Sequence, residues 1–216
     1  MTLFAVHLSD GAMSDLWVGL GFAGALLLLL PAMWRVREDE VPRIGLMTAA
    51  FFVASSIHFK IAITSVHLIL NGLVGVLLGR RAPLAVSVGL VLQFLLLSHG
   101  GITTLGLNAC VIGVPAVLAG MVYPLLRKLP AGLRGAIVGG GAVALAVGLN
   151  FAVLLFGGKE DWQTLARLVL LAHLPVVVVE ALVLAVVVSY LEKVKPEMLR
   201  HAPSPGGNTS SNGISH

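Results

Sequence analysis

Apolar residues along this chain fall into seven blocks separated by short polar breaks, roughly 16–34, 44–59, 66–79, 82–98, 106–126, 132–156 and 163–191. Each block predicts a helix that crosses a bilayer, because a lone open strand leaves its backbone polar groups unpaired in hydrocarbon. The third block is short. At about 1.5 Å per residue it does not reach across a core of about 30 Å. It starts earlier, near Thr64, or lies tilted or shielded by its neighbours. Pro175 predicts a kink in the seventh block. The pattern describes an all-α polytopic membrane bundle of about seven helices over residues 1–200. Residues 201–216 hold Pro203, Pro205, Gly206, Gly207 and a Ser/Asn run, which predicts a disordered tail.

Composition supports the membrane reading. Hydrophobic residues make up 57% of the chain and charged residues 11%, with a mean hydropathy of +0.98. A soluble domain carries about a quarter of its residues charged. Cys110 is the only cysteine, which excludes an internal disulfide and any Cys-based zinc or iron–sulfur site. No Lys or Arg precedes Arg35, so the positive start of a secretory signal is missing.

The net charge of +4 does not point to nucleic acid, because the cations sit at loop edges. Eleven of the 14 lie in alternate breaks and after the last block: Arg35, Arg37, Arg43, Arg80, Arg81, Arg127, Lys128, Arg134, Lys193, Lys195 and Arg200. Only Lys60, Lys159 and Arg167 fall on the other side. That asymmetry predicts the N-terminus outside and the C-terminus in the cytoplasm.

With that orientation His7, His58, His67, His99 and His173 lie on or near the outer face, while His201 and His216 fall in the tail. Imidazoles gathered at one mouth of an apolar bundle suit a borderline metal ion better than a sugar or a peptide. His58 and His67 flank one short outer loop, so their sharing an ion is geometrically possible. Glu180 is the only acidic residue inside a block, two helical turns from His173 on the same face. An intramembrane carboxyl marks a functional site by default, but a hydrogen bond knitting helices together is the favoured reading here. Asn71, Asn108 and Asn150 read the same way.

Gly19-Leu20-Gly21-Phe22-Ala23-Gly24 matches a dinucleotide fingerprint in letters only. It follows no strand, so close helix packing explains it better, as it does Gly140, Ala144 and Gly148. No HExxH, Walker or GxSxG motif occurs, so this is not read as an enzyme, and energy from ATP must come through partner subunits.

Several motifs occur in a telling order. Val6-His7-Leu8-Ser9-Asp10-Gly11 precedes the first block, and Thr64-Ser65-Val66-His67-Leu68 opens the third. Leu78-Gly79-Arg80-Arg81 follows, then Gln93 and the run Gly100-Gly101-Ile102-Thr103-Thr104-Leu105-Gly106-Leu107-Asn108. His173-Leu174-Pro175 with Glu180 completes the set. Together these resemble the CbiM/NikM family, the substrate-binding membrane component of energy-coupling-factor cobalt and nickel transporters. Without the resemblance, the first residues read as a solvated lead-in capped by Ser14 or Asp15.

The resemblance implies that Co²⁺ or Ni²⁺ is the transported ligand, with no separate cofactor. It implies an N-terminus inserted into the bundle, with the free amine, a backbone amide and the imidazole of His7 as ligands, completed by His67. Such nitrogen donors suit square-planar Ni(II) and accept Co(II), and a free amine makes binding weaken as pH falls. Implied partners are a transmembrane coupling subunit, cytoplasmic ATPase subunits and a small accessory membrane protein, all at a bacterial inner membrane.

This chain departs from the family by carrying Met1–Ala5 ahead of Val6, which separates His7 from the amine. A valine codon such as GUG can serve as a start, so Val6 is the expected true N-terminus. With Met1 retained, His58 or His99 are the substitute ligands. His99 stands where the family commonly has an acidic residue.

Two other functions fit less well. A vitamin-binding component of the same transporter class calls for an aromatic-rich outer pocket, and aromatics are only 6% of the chain. An intramembrane metalloenzyme built on His173 and Glu180 needs acid–base groups at one depth, whereas the histidines gather at the mouth.

Overall fold

The computed structural model of the chain describes residues 8–61, 64–159 and 163–199. Five helical runs among them are long and apolar enough to cross a membrane: 15–33, 71–97, 105–126, 131–157 and 166–194. They comprise α1 (Asp15–Met33), α3 (Asn71–Leu78) with α4 (Ala82–Leu97), α5 (Leu105–Val122), α6 (Ala131–Gly157), and α7 (Gln163–Ala172) with α8 (Leu174–Val194). A shorter helix, α2 (Val41–Ser56), packs beside α4. Large apolar side chains point outward around the bundle, with Leu27 at 73% and Phe156 at 75% exposure. Water does not tolerate such a shell, but lipid solvates it.

The expected helices at 44–59 and 66–79 are corrected. α2 stops at Ser56, and an antiparallel hairpin follows, β1 (His58–Ile61) and β2 (Thr64–His67). Phe59, Ile61, Thr64 and Val66 are aromatic or β-branched, and pairing the two strands with each other satisfies backbone that a single strand leaves open. After β2 the chain turns at Leu70, whose φ of 51° is left-handed, and α3 begins only at Asn71.

All eight residues of α3 are buried, against α5, α6, α4 and α2. It ends at Gly79, whose φ of 54° turns the chain through a 3-10 turn into α4. The expected kink in the seventh block is a break at His173, and Pro175 sits in the first turn of α8, where its missing N–H costs nothing.

Glycines permit the closest approaches. A Cβ on Gly106 would lie 2.6 Å from the Phe22 backbone nitrogen, so α1 and α5 meet backbone to backbone. Gly21 and Gly24 of the expected packing run face Leu107 and Cys110, whereas Gly19 faces nothing within 4 Å. The α6–α8 seam runs through Gly135 and Gly139, against Leu184 and Glu180. Gly140 borders it, but Gly148, also expected there, meets nothing.

At the end of the bundle rich in arginine, buried Arg81 uses every N–H of its guanidinium. It donates to the Ala32, Trp34 and Arg35 carbonyls at 2.6, 2.9 and 2.7 Å, and to both Glu40 oxygens at 3.2 and 2.8 Å. Carbonyls at and just after the end of α1 are thereby satisfied. The Arg81 hydrogen bond leads in holding the Glu40 carboxyl below its ordinary range.

Candidate metal site

Two segments enter the bundle at the opposite end. The first is the stretch ahead of α1. Far from being a solvated lead-in, it is built into the fold from Leu8 onward. Leu8 is buried, its N–H donates to Asn108 Oδ1 at 2.9 Å, and its carbonyl accepts from Asn108 Nδ2 at 3.1 Å and Thr104 Oγ1 at 2.6 Å. Thr104 and Asn108 stand one helical turn apart at the start of α5, so both reach the same backbone. Asn108 therefore clamps an extended chain. It does not tie helix to helix as expected. Asn71 does, donating to the Ala142 carbonyl of α6 at 3.3 Å.

Further along, Asp10 accepts from Thr103 N–H at 2.8 Å, Thr103 Oγ1 at 2.5 Å and Ile102 N–H at 3.2 Å. Gly101 passes so close under Asp10 that a side chain there has no room. The Ser14 N–H donates to the Gly157 carbonyl at 2.9 Å, and Lys159 N–H to the Ala12 carbonyl at 3.0 Å. Leu8, Ala12 and Met13 close a small core with Leu107, Leu154 and Ala166. Ser14 occupies the cap position of α1 without a side-chain cap bond.

Partial burial pulls the Asp10 carboxyl upward, but the hydrogen bonds from Thr103 and Ile102 outweigh it, and the carboxyl titrates below its ordinary value. A depressed folded-state value contributes stability above the unfolded value, near 4, that is lost as pH falls through the folded one. Protection of the Ile102 and Thr103 amides, taken as exchange relative to the intrinsic rate at each pH, is therefore expected to hold at neutral pH and to fall in acid, below about 4. Asp10→Asn is expected to flatten that acid response.

The second segment is the hairpin. Its register sets His58 opposite His67, with Phe59 opposite Val66. β2 descends into the bundle against α7 and α2, and His67 is 1% exposed. Its Nδ1 lies 2.9 Å from the Leu68 carbonyl, so Nδ1 carries the proton and the lone pair is on Nε2. Directly after it, the Ile69 and Leu70 N–H groups donate to Glu180 Oε1 at 2.5 and 2.7 Å.

Of the other outer histidines, His99, the substitute ligand, is half-buried on the loop between α4 and α5, its N–H bonded to the Gln93 carbonyl at 3.2 Å. His173 is fully buried at the α7–α8 break, with Nδ1 donating to the Val169 carbonyl at 2.7 Å. His7, Val6 and the tail 201–216 lie outside the described residues. Among the described residues no three His, Cys, Asp or Glu side chains converge to hold a metal ion. The hairpin carrying His67 and the clamped segment that follows His7 each pack on α7. Sequence reasoning missed the clamp itself. Its signal was present: Thr104 and Asn108, four apart, are polar side chains on one face of an otherwise apolar helix start.

Apolar outer faces and glycine-lined helix contacts define a multi-pass helical membrane protein. The chain belongs to the CbiM family, described as the cobalt uptake substrate-specific transmembrane region, which matches residues 7–198. It is 35% identical to a Haemophilus influenzae protein named for metal transport, over 90% of this chain and 97% of that one. It is 32% identical to the cobalt transport protein CbiM of Geobacter sulfurreducens, over 90% of this chain and 62% of that protein. The fused nickel transport protein NikMN of Rhodobacter capsulatus is 29% identical over 92% of this chain and 66% of its own length. A crystal structure of a transition metal transporter shares the fold, with a TM-score of 0.76, 24% identity and coverage of 87% of this chain and 93% of that one.

Proposed function

We propose that this chain is the substrate-capture membrane component of an ATP-driven, energy-coupling-factor importer for Co²⁺ or Ni²⁺. The ion binds at the outer face through nitrogen donors, namely His67, His7 and the amine and amide of an inserted N-terminus. The observation that carries this reading is the Asn108 clamp on Leu8, which locks the residue after His7 inside the bundle, together with the burial of His67. Membership of a cobalt-uptake family supports the choice of ion.

In this reading the chain spans a bacterial inner membrane about seven times, N-terminus outside and C-terminus inside. The arginine-rich end faces a transmembrane coupling subunit and cytoplasmic ATPases, with a small accessory membrane protein nearby. The chain itself catalyses nothing; it selects the ion, and hydrolysis elsewhere drives its release. A start at Val6 places the amine one residue from His7, and with Met1 retained His58 and His99 are the reserve ligands. Intact mass measurement distinguishes the two starts.

Protein purified without chelator is expected to carry stoichiometric Ni²⁺ or Co²⁺, and His67→Ala to lose it. Metal retained at the wild-type level in that variant overturns the reading. The affinity order of divalent ions favours nickel over cobalt.

A further inference from the structure

Glu180 has no place in the ligand set, yet it is 1% exposed in the middle of α8. The geometry points to a specific role: we propose that Glu180 is a positioning residue for His67, acting through the single peptide group that joins Leu68 to Ile69. This inference rests on the reading of His67 as a metal ligand.

The peptide group lies between the two side chains. Its oxygen, the Leu68 carbonyl, accepts from His67 Nδ1 at 2.9 Å, and its N–H, on Ile69, donates to Glu180 Oε1 at 2.5 Å. An acceptor on the N–H pushes electron density onto the carbonyl, since linked hydrogen bonds polarise one another. The carbonyl then holds the Nδ1 proton more firmly and leaves Nε2 a stronger donor toward a borderline cation. A carboxylate behind a metal-bound histidine does the same directly; here one amide is interposed.

The anchor is itself rigid. The same oxygen takes the Leu70 N–H at 2.7 Å, and the two amides lie immediately ahead of α3, a buried helix of eight residues whose cap residue is Leu70. A carboxylate suits that end of a helix dipole. Behind it, a Cβ on Gly139 would lie 2.7 Å from the Glu180 carbonyl, so α6 backs α8 at this level. Asn71, the next residue, is tied to α6 through the Ala142 carbonyl. His67 is thus held by its backbone to the long C-terminal helix, and displacement of α8 against α3 would turn the ring.

The test uses the full chain in detergent, with Ni²⁺ affinity from chelator competition and the visible spectrum of bound Co²⁺ as a report of ligand geometry. Glu180→Ala is expected to weaken Ni²⁺ binding by about 10- to 100-fold and to shift the Co²⁺ bands. Glu180→Gln keeps an acceptor without the charge and should fall between. Leu184→Ala, one turn along α8, removes a buried apolar side chain that packs on Gly72 and Gly139 and takes no part in the hydrogen bonds of the relay. It should lower thermal stability while leaving affinity and spectrum unchanged.

Equal loss of affinity in Leu184→Ala and Glu180→Ala overturns the proposal, because the effect is then general loosening. Wild-type affinity and spectrum in Glu180→Ala, with binding lost in His67→Ala, overturns it while sparing the metal reading. Wild-type binding in His67→Ala removes both.

Discussion

Gly75→Leu is expected to abolish folding of this protein, and Gly75→Ala to destabilise it by about 3 kcal/mol or more, near the upper end for overpacked cores. The reason is the crossing of α3 and α5. A Cβ on Gly75 would occupy the space of the Ala116 carbonyl oxygen, and one on Gly120 would lie 2.5 Å from the Gly75 carbonyl oxygen. The obstacle is backbone on both sides, so no rotamer change relieves it. Because α3 is buried on every face, it has nowhere to retreat. Gly141 on α6 is the control: a Cβ there meets nothing within 4 Å, and Gly141→Ala should be neutral or stabilising by up to about 1 kcal/mol. Thermal unfolding in detergent, read beside the yield of monodisperse protein, measures the contrast.

The second large effect is expected at Asn108. Asn108→Leu keeps the volume and removes both hydrogen bonds to Leu8, leaving a buried N–H without an acceptor. The cost is about 1–3 kcal/mol for such a group, since the Leu8 carbonyl keeps its bond from Thr104. Exchange of the Leu8 amide, slow in the wild type, should become fast. Asn108→Asp retains an acceptor for the N–H but sets a second oxygen against the Leu8 carbonyl, and should be intermediate. If the N-terminus holds the ion, Ni²⁺ affinity falls in the same order, Asn108→Leu most. Unchanged exchange at Leu8 in Asn108→Leu would show that the clamp is not what orders this segment.

The two effects differ in how far the residues announce them. Gly75 stands in an apolar run where a glycine reads as a packing residue, but its partner is invisible until α5 is laid across it. Asn108 is conspicuous in an apolar block, and the obvious expectation was a bond to another helix. It binds an irregular segment 100 residues away. The hairpin was misread for a different reason. Residues 57–70 are short, apolar and β-branched, and in so short a stretch periodicity does not separate a strand from a buried helix. The long blocks read as helix because about 18 or more predominantly apolar residues have few alternatives.

What the sequence determined alone is the solvent and the type of structure. Seven apolar blocks with 11% charge admit only a membrane bundle, and five of the helical runs among the described residues are long enough to cross one. It also singled out the histidines, because imidazole is rare and costly in such surroundings. The tertiary structure decided which polar groups face one another: Asn108 with Leu8, Asp10 with Thr103, and Glu180 with the peptide that holds His67. Those pairings join residues about 100 positions apart, and in the bundle interior a backbone amide must find an acceptor wherever the packing supplies one. Local pattern carries the hydrophobic face of each helix, but the partner of each buried polar atom exists only once the helices are packed.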